Sequence, residues 1–449
     1  MMLITNATVV TYEVPNRILP NHAVYLSGDQ IQEVGPTSRL QQKYPKSRTI
    51  DAHDQFLLPG GICAHTRFHR AFGRGLVVPH AAPKDLPEIL ERFWWPLERS
   101  LLQEDVRYCA LLSLVDAIRN GTTTLFDHHS SPQAVDGSLD VIAEAVEASG
   151  LRAVLSCEVT DREGASVADS SIKENVRFLR RQPAGTKTRI AGMFGLDASM
   201  GLSGATLQAC KAAAPDETGF QVLTAEHESD EYDSLHKTGM RVVDRLHNHG
   251  ILGPRTVAAH CVHVDAFETR LLAETHTWMA HSPRSNMNTA VGTAPVDSLM
   301  RAGVRVCLGT DGLSHGMWDE WKAAYSLHKA SGRDPRHLSS NQVAQMAIQN
   351  NAALASMYFP ATPVGRISPG AAADLILVDY QPPTPLTAEN MEDHVIFGFH
   401  SGMVTTTIAG GKILMKDRQI LTLDEVEIAA RARELAKRVW GRVEDNLRR

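Results

Sequence analysis

Cysteine is scarce and unpaired in this sequence. Six cysteines stand at positions 63, 109, 157, 210, 261 and 307 of a 449-residue chain, with no Cys-x-x-Cys arrangement. That scatter reads as reduced core thiols of a cytoplasmic protein, not as a disulfide framework. An excess of positive charge is missing too. The 45 Lys and Arg face 51 Asp and Glu, a formal net charge of −6. Nucleic-acid and membrane-surface partners, which call for clustered cations, are therefore not expected. No apolar run reaches the roughly 18 residues of a membrane span. The opening "MMLITNATVVTYE" has no basic n-region or apolar h-region, so a signal peptide is not expected either. Low-complexity segments and sequence repeats are absent. What remains is 43% hydrophobic and 21% charged residues, the balance of a globular chain with a large core. The Arg-rich tail "RARELAKRVWGRVEDNLRR" interleaves Glu and Asp at helical spacing and reads as a solvated helix face.

Residues 1–58 form short alternating stretches bounded by Gly, Asn, Asp or Pro, such as "HAVYLSGDQIQEVG", the pattern of strands. From residue 59 to 364 the rhythm becomes strand, loop, helix. "RAVLSCEVT", "FQVLTAEHES", "TVAAHCVHV", "TWMAHSPRSN" and "VRVCLGTDG" are apolar runs ending in polar residues, as buried parallel strands do. Strand signals return after 365 in "ADLILVDY" and "VTTTIAGGKILMKD". The fold class expected is α/β: a (β/α)8 TIM-like barrel over 59–364. A small β-sandwich domain with a C-terminal helix is expected from 1–58 and 365–449 together.

In such a barrel, reacting residues sit at the C-terminal ends of the strands. Those ends carry His65 and Arg67, Asp197, Leu223 and Glu226, His260, His281 with Asn286, and Asp311. Each alone has a dull structural explanation; the ordered set is harder to dismiss.

The segments "LLPGGICAHTRFHRAFGRGL", "NGTTTLFDHH", "TAEHESDEYD", "AAHCVHVD", "AHSPRSNM", "LGTDG" and "GRISPGAAADLILVD" resemble the amidohydrolase superfamily. Within it, the likeness is to the chlorohydrolase and aminohydrolase branch with its cytosine, guanine and triazine deaminases. The resemblance covers essentially the whole chain. It implies a divalent cation held by two strand-one histidines, a strand-five histidine and a strand-eight aspartate, and a water whose pKa that cation lowers. It also implies a proton-shuttling glutamate three residues after the strand-five ligand, and a strand-six histidine that orients water or substrate. Carried over, His65 and Asp311 match ligands, Glu226 the shuttle and His260 the strand-six histidine. Arg67 and Leu223 occupy the other two ligand positions. Asp197 stands where relatives have a substrate-side histidine.

Arginine offers only donors and leucine none, so neither can ligate a cation. The expectation is therefore a degenerate site without a metal cofactor, organised around a bidentate Arg67–Asp311 pair, with Asp197 as second acceptor and Leu223 filling vacated volume. The alternative is zinc or iron held by His65, Asp311 and His260. Catalytic candidates are Glu226, His260, Asp311, His281 and Arg67. Substrate-side candidates are His69, Asp197, His129, Phe68 and Trp95. The stretch 68–100, with Phe72, Arg74, His80, Phe93 and Trp94, is expected over the barrel mouth. "SHGMW" from Ser314 is expected to close the pocket, and His227 to point away from it. The leading expectation is hydrolysis of a C–N bond in a small nitrogen-containing molecule. The alternatives are a metal-independent lyase, isomerase or decarboxylase, or a ligand-binding relative without catalysis. A small-molecule substrate and a homodimer or larger oligomer follow from the resemblance.

Overall fold

The computed structural model describes residues 1–77, 82–181 and 189–448. Eight parallel strand positions make the central sheet: β1 (Gly61–Thr66), β2 (Thr122–His129), β3 (Arg152–Val159), β4 (Ile190–Gly192 and Phe194–Leu196), β5 (Phe220–Thr224), β6 (Val257–His260), β7 (Trp278–His281) and β8 (Arg305–Leu308). They pair in chain order from β1 to β8. Nearly all their residues are buried, which is why each reads as an unbroken apolar run and not as an alternation.

The seam between β8 and β1 closes through the loop after β8. Thr310 N and Asp311 N both donate to the His65 carbonyl, at 2.8 and 3.1 Å. The approach depends on two glycines. A Cβ on Gly309 would lie 2.7 Å from His65 O. Gly312, at φ +89°, would place one 2.6 Å from Arg67 O. Closure thus sets Asp311 beside His65, residues far apart in sequence.

Both chain ends feed one nine-stranded sheet. Met2–Val10 lies between Ile18–Ser27 and Phe56–Pro59, and Leu375–Val378 pairs antiparallel to Phe56–Pro59. The helices used below are α1 (Trp95–Arg99), α2 (Gln103–Arg119), α3 (Glu228–Thr238), α4 (Pro283–Asn288), α5 (Met317–Gly332) and α6 (Glu425–Arg448). Along α6, Ile428, Ala432, Leu435, Val439 and Val443 are buried, a stripe at i, i+4, i+7, i+11 and i+15. Its tail is also pinned: Trp440 Nε1 donates to Phe72 O at 2.8 Å, and Arg442 Nε donates to Ser100 O at 2.7 Å. The expected solvated face is the other side of this helix.

Candidate active site

Where the strands end, several residues take left-handed backbone that side chains rarely adopt: Ala225 (φ 46°), His260 (φ 72°) and Asp311 (φ 51°). Such conformations cost on the order of 1–3 kcal/mol each and collect at functional sites. They turn Glu226, His260 and Asp311 over the barrel mouth. Three residues converge there: His65, His260 and Asp311 each offer a ligating atom, and these atoms lie within 4.8 Å of one another. All three are buried, and their nearest polar neighbours are one another and the flanking charges: His65 Nε2 lies 3.3 Å from Asp311 Oδ1, and Arg67 Nε 3.5 Å from the same oxygen. Glu226 Oε2 lies 3.7 Å from His260 Nε2.

Around this centre sits a buried charge cluster of four carboxylates, Glu98, Glu158, Asp197 and Asp311, and three guanidiniums, Arg67, Arg70 and Arg162. The expected bidentate Arg67–Asp311 pair is not what forms. Arg67 Nη2 donates to Glu158 Oε2 at 2.8 Å, Nη1 is 3.8 Å from Glu98, and only Nε faces Asp311 Oδ1, at 3.5 Å. Asp311 is instead bonded through Oδ2 by Arg70 Nη1 at 2.5 Å and Ser285 Oγ at 2.7 Å. Asp197 pairs with Arg162 Nε at 3.0 Å, not with Arg67. The cause is competition: α1 and β3 supply Glu98 and Glu158, which draw Arg67 away from β8. Burial opposes the charge on Asp311, but Arg70 and His65 outweigh it and hold the carboxyl well below its usual range. Burial lowers His65 to about 4 despite Asp311 beside it, leaving a neutral imidazole. Burial and Asp197 raise Glu158 to about 7.

Two spaces adjoin the cluster. A narrow cavity of about 30 Å³ is lined by Arg67, Glu98, Asp197, Leu223, Glu226 and Trp95, among others. An open groove of about 400 Å³ runs past Phe93, Trp94, Leu313 and Asn288. Arg70 borders both, with its guanidinium 4.4 Å above Trp94.

Of the substrate-side candidates, Asp197 and Trp95 line the cavity, with Arg162 4.6 Å from the Trp95 ring centroid. His69 does not face it. Its side chain is fully buried, Nδ1 accepts from Ser130 N at 3.2 Å, and Nε2 lies 3.5 Å from Glu98. The 3-10 turn Phe68–Gly73 curls it inward, where a regular strand would have carried it over the mouth. His129 is stacked edge-on against His69 and bonded to Ser131 Oγ at 2.7 Å. Phe68 is a core side chain against His315. His281 Nε2 meets His328 Nε2 of α5 at 3.1 Å, so it is held behind the mouth. His227 lines the cavity after all, because it caps α3. "SHGMW" does not close the pocket: His315 is fixed by Asp116 and Thr66, and Met317 and Trp318 line a separate cavity with Gly60 and Gly61. His80 lies outside the described residues. Glu98, Glu158, Arg70, Arg162 and Gln221 were missed in the sequence. Glu158 and Gln221 carried a signal, polar residues at inward positions of otherwise apolar strands; the others had none.

The three converging atoms, two imidazole nitrogens and one carboxylate oxygen, are the donor set of a three-ligand divalent site with room for water or substrate. Their convergence fits such an ion. It also weighs against the metal-free expectation, although Arg67 competes for the same Asp311 oxygen. Leu223 and Arg67 add no donor.

Residues 56–414 match the amidohydrolase family. The chain is 33% identical over 447 residues to the 5'-deoxyadenosine deaminase of Methanosarcina mazei, covering 98% of this chain and 99% of that protein. It is equally similar, 33% with the same coverage, to the 5-methylthioadenosine/S-adenosylhomocysteine deaminase of Pelotomaculum thermopropionicum. Among solved structures, an adenosine deaminase from Xanthomonas campestris with bound zinc superposes with a TM-score of 0.84 at 26% identity, covering 98% of both chains. Zinc-complexed atrazine chlorohydrolase from Arthrobacter aurescens shares the fold, with a TM-score of 0.83 at 20% identity and 97% and 100% coverage.

Proposed function

Because this chain belongs to the amidohydrolase family, we propose that it is a hydrolase that removes an exocyclic amine from a small nitrogen heterocycle of the adenosine type. The observation that carries the reading is the convergence of His65, His260 and Asp311, whose ligating atoms lie within 4.8 Å of one another, with Glu226 at their side. These three residues would hold a divalent cation, zinc or iron. Such an ion supplies Lewis acidity and a more acidic water.

The chain's own groups do the rest. Glu226, on the cavity wall, moves a proton toward the ring nitrogen and the leaving amine. His260 keeps Nε2 free to accept, because Asn286 Oδ1, 2.8 Å away, accepts the hydrogen bond that holds the proton on Nδ1. Arg70 and Ser285 hold Asp311 by Oδ2, so Oδ1 faces the centre. Trp95, Asp197 and Arg162 bound the space for the rest of the substrate.

The site acts on a small molecule, and a reducing cytoplasm suits six buried, unbridged cysteines. No helix among the described residues is long and apolar enough to cross a membrane.

The test is ammonia release from 5'-deoxyadenosine, 5'-methylthioadenosine, S-adenosylhomocysteine and adenosine by protein loaded with Zn(II) or Fe(II). Turnover of at least one is expected. No ammonia from any of them, with metal shown to be bound, overturns the reading. A second reading, a ligand-binding relative without turnover, is favoured by the Arg67 guanidinium beside Asp311 and by the small cavity. It gives binding without ammonia.

A further inference from the structure

Inside the barrel below the mouth, a chain of neutral polar groups ends on His65. Gln221 of β5 is wholly buried, with its Nε2 2.8 Å from His65 Nδ1. Its Oε1 is 2.9 Å from Ser156 Oγ of β3, and Ser156 Oγ is in turn 3.0 Å from the Asp127 carbonyl of β2. Ser156 has one proton and two acceptors within reach. His65 Nε2 sits at the other end of the imidazole, 3.3 Å from Asp311 Oδ1.

Two proton arrangements give both ends of the Gln221 amide a partner. In the first, Ser156 donates to Gln221 Oε1, the Gln221 amide donates to His65 Nδ1, and the proton of the neutral imidazole must sit on Nε2, pointing at Asp311. His65 then has no lone pair to offer at Nε2. In the second, the amide of Gln221 is turned over and Ser156 donates to the Asp127 carbonyl. Gln221 now donates to Ser156 Oγ and accepts from His65 Nδ1–H, so Nε2 presents its lone pair to the donor trio. The bonds are equal in number. The difference lies at Nε2: a hydrogen bond to Asp311, or a ligand atom.

We propose that Gln221 is the positioning residue that sets the tautomer of His65, and that turning over its side-chain amide converts the site between a metal-free state, with His65 Nε2–H bonded to Asp311, and a metal-binding state. The inference rests on the three-ligand reading above and concerns this chain's own residues. Because Arg67 and Leu223 supply no ligand, His65 is one of only three donors in the trio. Its tautomer therefore decides whether the set is complete. A group behind a ligating histidine commonly changes metal affinity about 10–100-fold.

The test uses the full-length protein with ¹⁵N-labelled histidine and a chelator-competition titration with Zn(II). The resonance missing in His65→Asn assigns His65. In metal-free wild type, His65 is expected as the Nε2–H tautomer. Gln221→Glu, nearly isosteric and able only to accept once ionised, is expected at alkaline pH to move it to Nδ1–H without metal and to bind zinc at least as tightly as wild type. Gln221→Met, which can neither donate nor accept strongly, is expected to weaken zinc binding about 10–100-fold. Unchanged zinc affinity in Gln221→Met, or an unchanged tautomer in Gln221→Glu, overturns the proposal. Where Gln221→Met does not fold, Gln221→Glu alone decides. Failure of wild type to take up zinc defeats the three-ligand reading instead, and the tautomers of the metal-free proteins still decide the role of Gln221.

Discussion

Glu226 is the side chain whose loss is most diagnostic. It reaches the cavity and has His260 as its neighbour. Removing a general acid–base group typically costs about 100- to 10,000-fold in rate. Glu226→Gln in the metal-loaded protein is therefore expected to lower kcat by that range while substrate still binds. Steady-state kinetics of ammonia release beside a binding isotherm checks it; a kcat within a factor of a few of wild type removes Glu226 from the chemistry. Asp127 offers a test of stability. Its Oδ1 accepts from Phe68 N at 2.8 Å inside the core, and burial raises the carboxyl to about 7. Between its ordinary value and about 7, the folded protein keeps a proton that the unfolded chain releases, so stability falls as pH rises through that window. Asp127→Asn keeps the acceptor and lacks the titration. From pH 5 to pH 8 its stability relative to wild type should improve, by roughly 1–4 kcal/mol, read from denaturant midpoints. Equal pH dependence in both proteins would show that Asp127 is ionised at no cost.

Short α4 ties two of the three donors to one element. Ser285 bonds Asp311 Oδ2, and Asn286 meets His260 Nδ1 at 2.8 Å. The helix itself is anchored from α5, because Arg284 Nε donates to the buried Glu320 at 2.7 Å. Asn286→Leu removes the acceptor behind His260 and leaves an imidazole N–H unpaired. Zinc affinity is expected to drop about 10–100-fold, with a modest loss of melting temperature. A drop in melting temperature with unchanged metal affinity would assign Asn286 to packing alone. The seam at Gly309 is the other element-scale device. Gly309→Ala drives a methyl into the His65 backbone. That substitution is expected to destabilise the fold and to misplace Asp311 together with His65, seen as loss of metal binding even at temperatures where the variant stays folded.

At the scale of the molecule, the terminal helix α6 belongs to the barrel's wall. Ile428, Leu435, Val439 and Val443 are buried, and burial of four such side chains is worth roughly 6–12 kcal/mol before the entropy of ordering the helix is subtracted. A chain ending at residue 424 is expected to melt far lower or to aggregate; a truncated protein with unchanged melting temperature would show that the helix only decorates the surface. The homodimer or larger oligomer rests on the family resemblance. Light scattering is expected to give at least twice the 49.2 kDa of one chain, and a monomer mass would end that expectation.

Much of the architecture was written locally. Buried parallel strands announce themselves as apolar runs with polar C-terminal ends, and those ends set His65, Glu226, His260 and Asp311 in order along the chain. The resemblance set arginine and leucine at two expected ligand positions, and neither has a ligating atom in any surroundings. Partner choice was not written locally. Whether Arg67 bonds Asp311 or Glu158, and whether His69 faces the mouth or Glu98, depends on charges brought from α1, β3 and the loop after it, dozens of residues away. A buried ion takes the acceptors that desolvation leaves nearest, and nearness across a closed barrel is a property of the tertiary structure alone. So too with Gln221: its strand position was readable, but its hold on His65 arises only when β1, β3 and β5 share one interior.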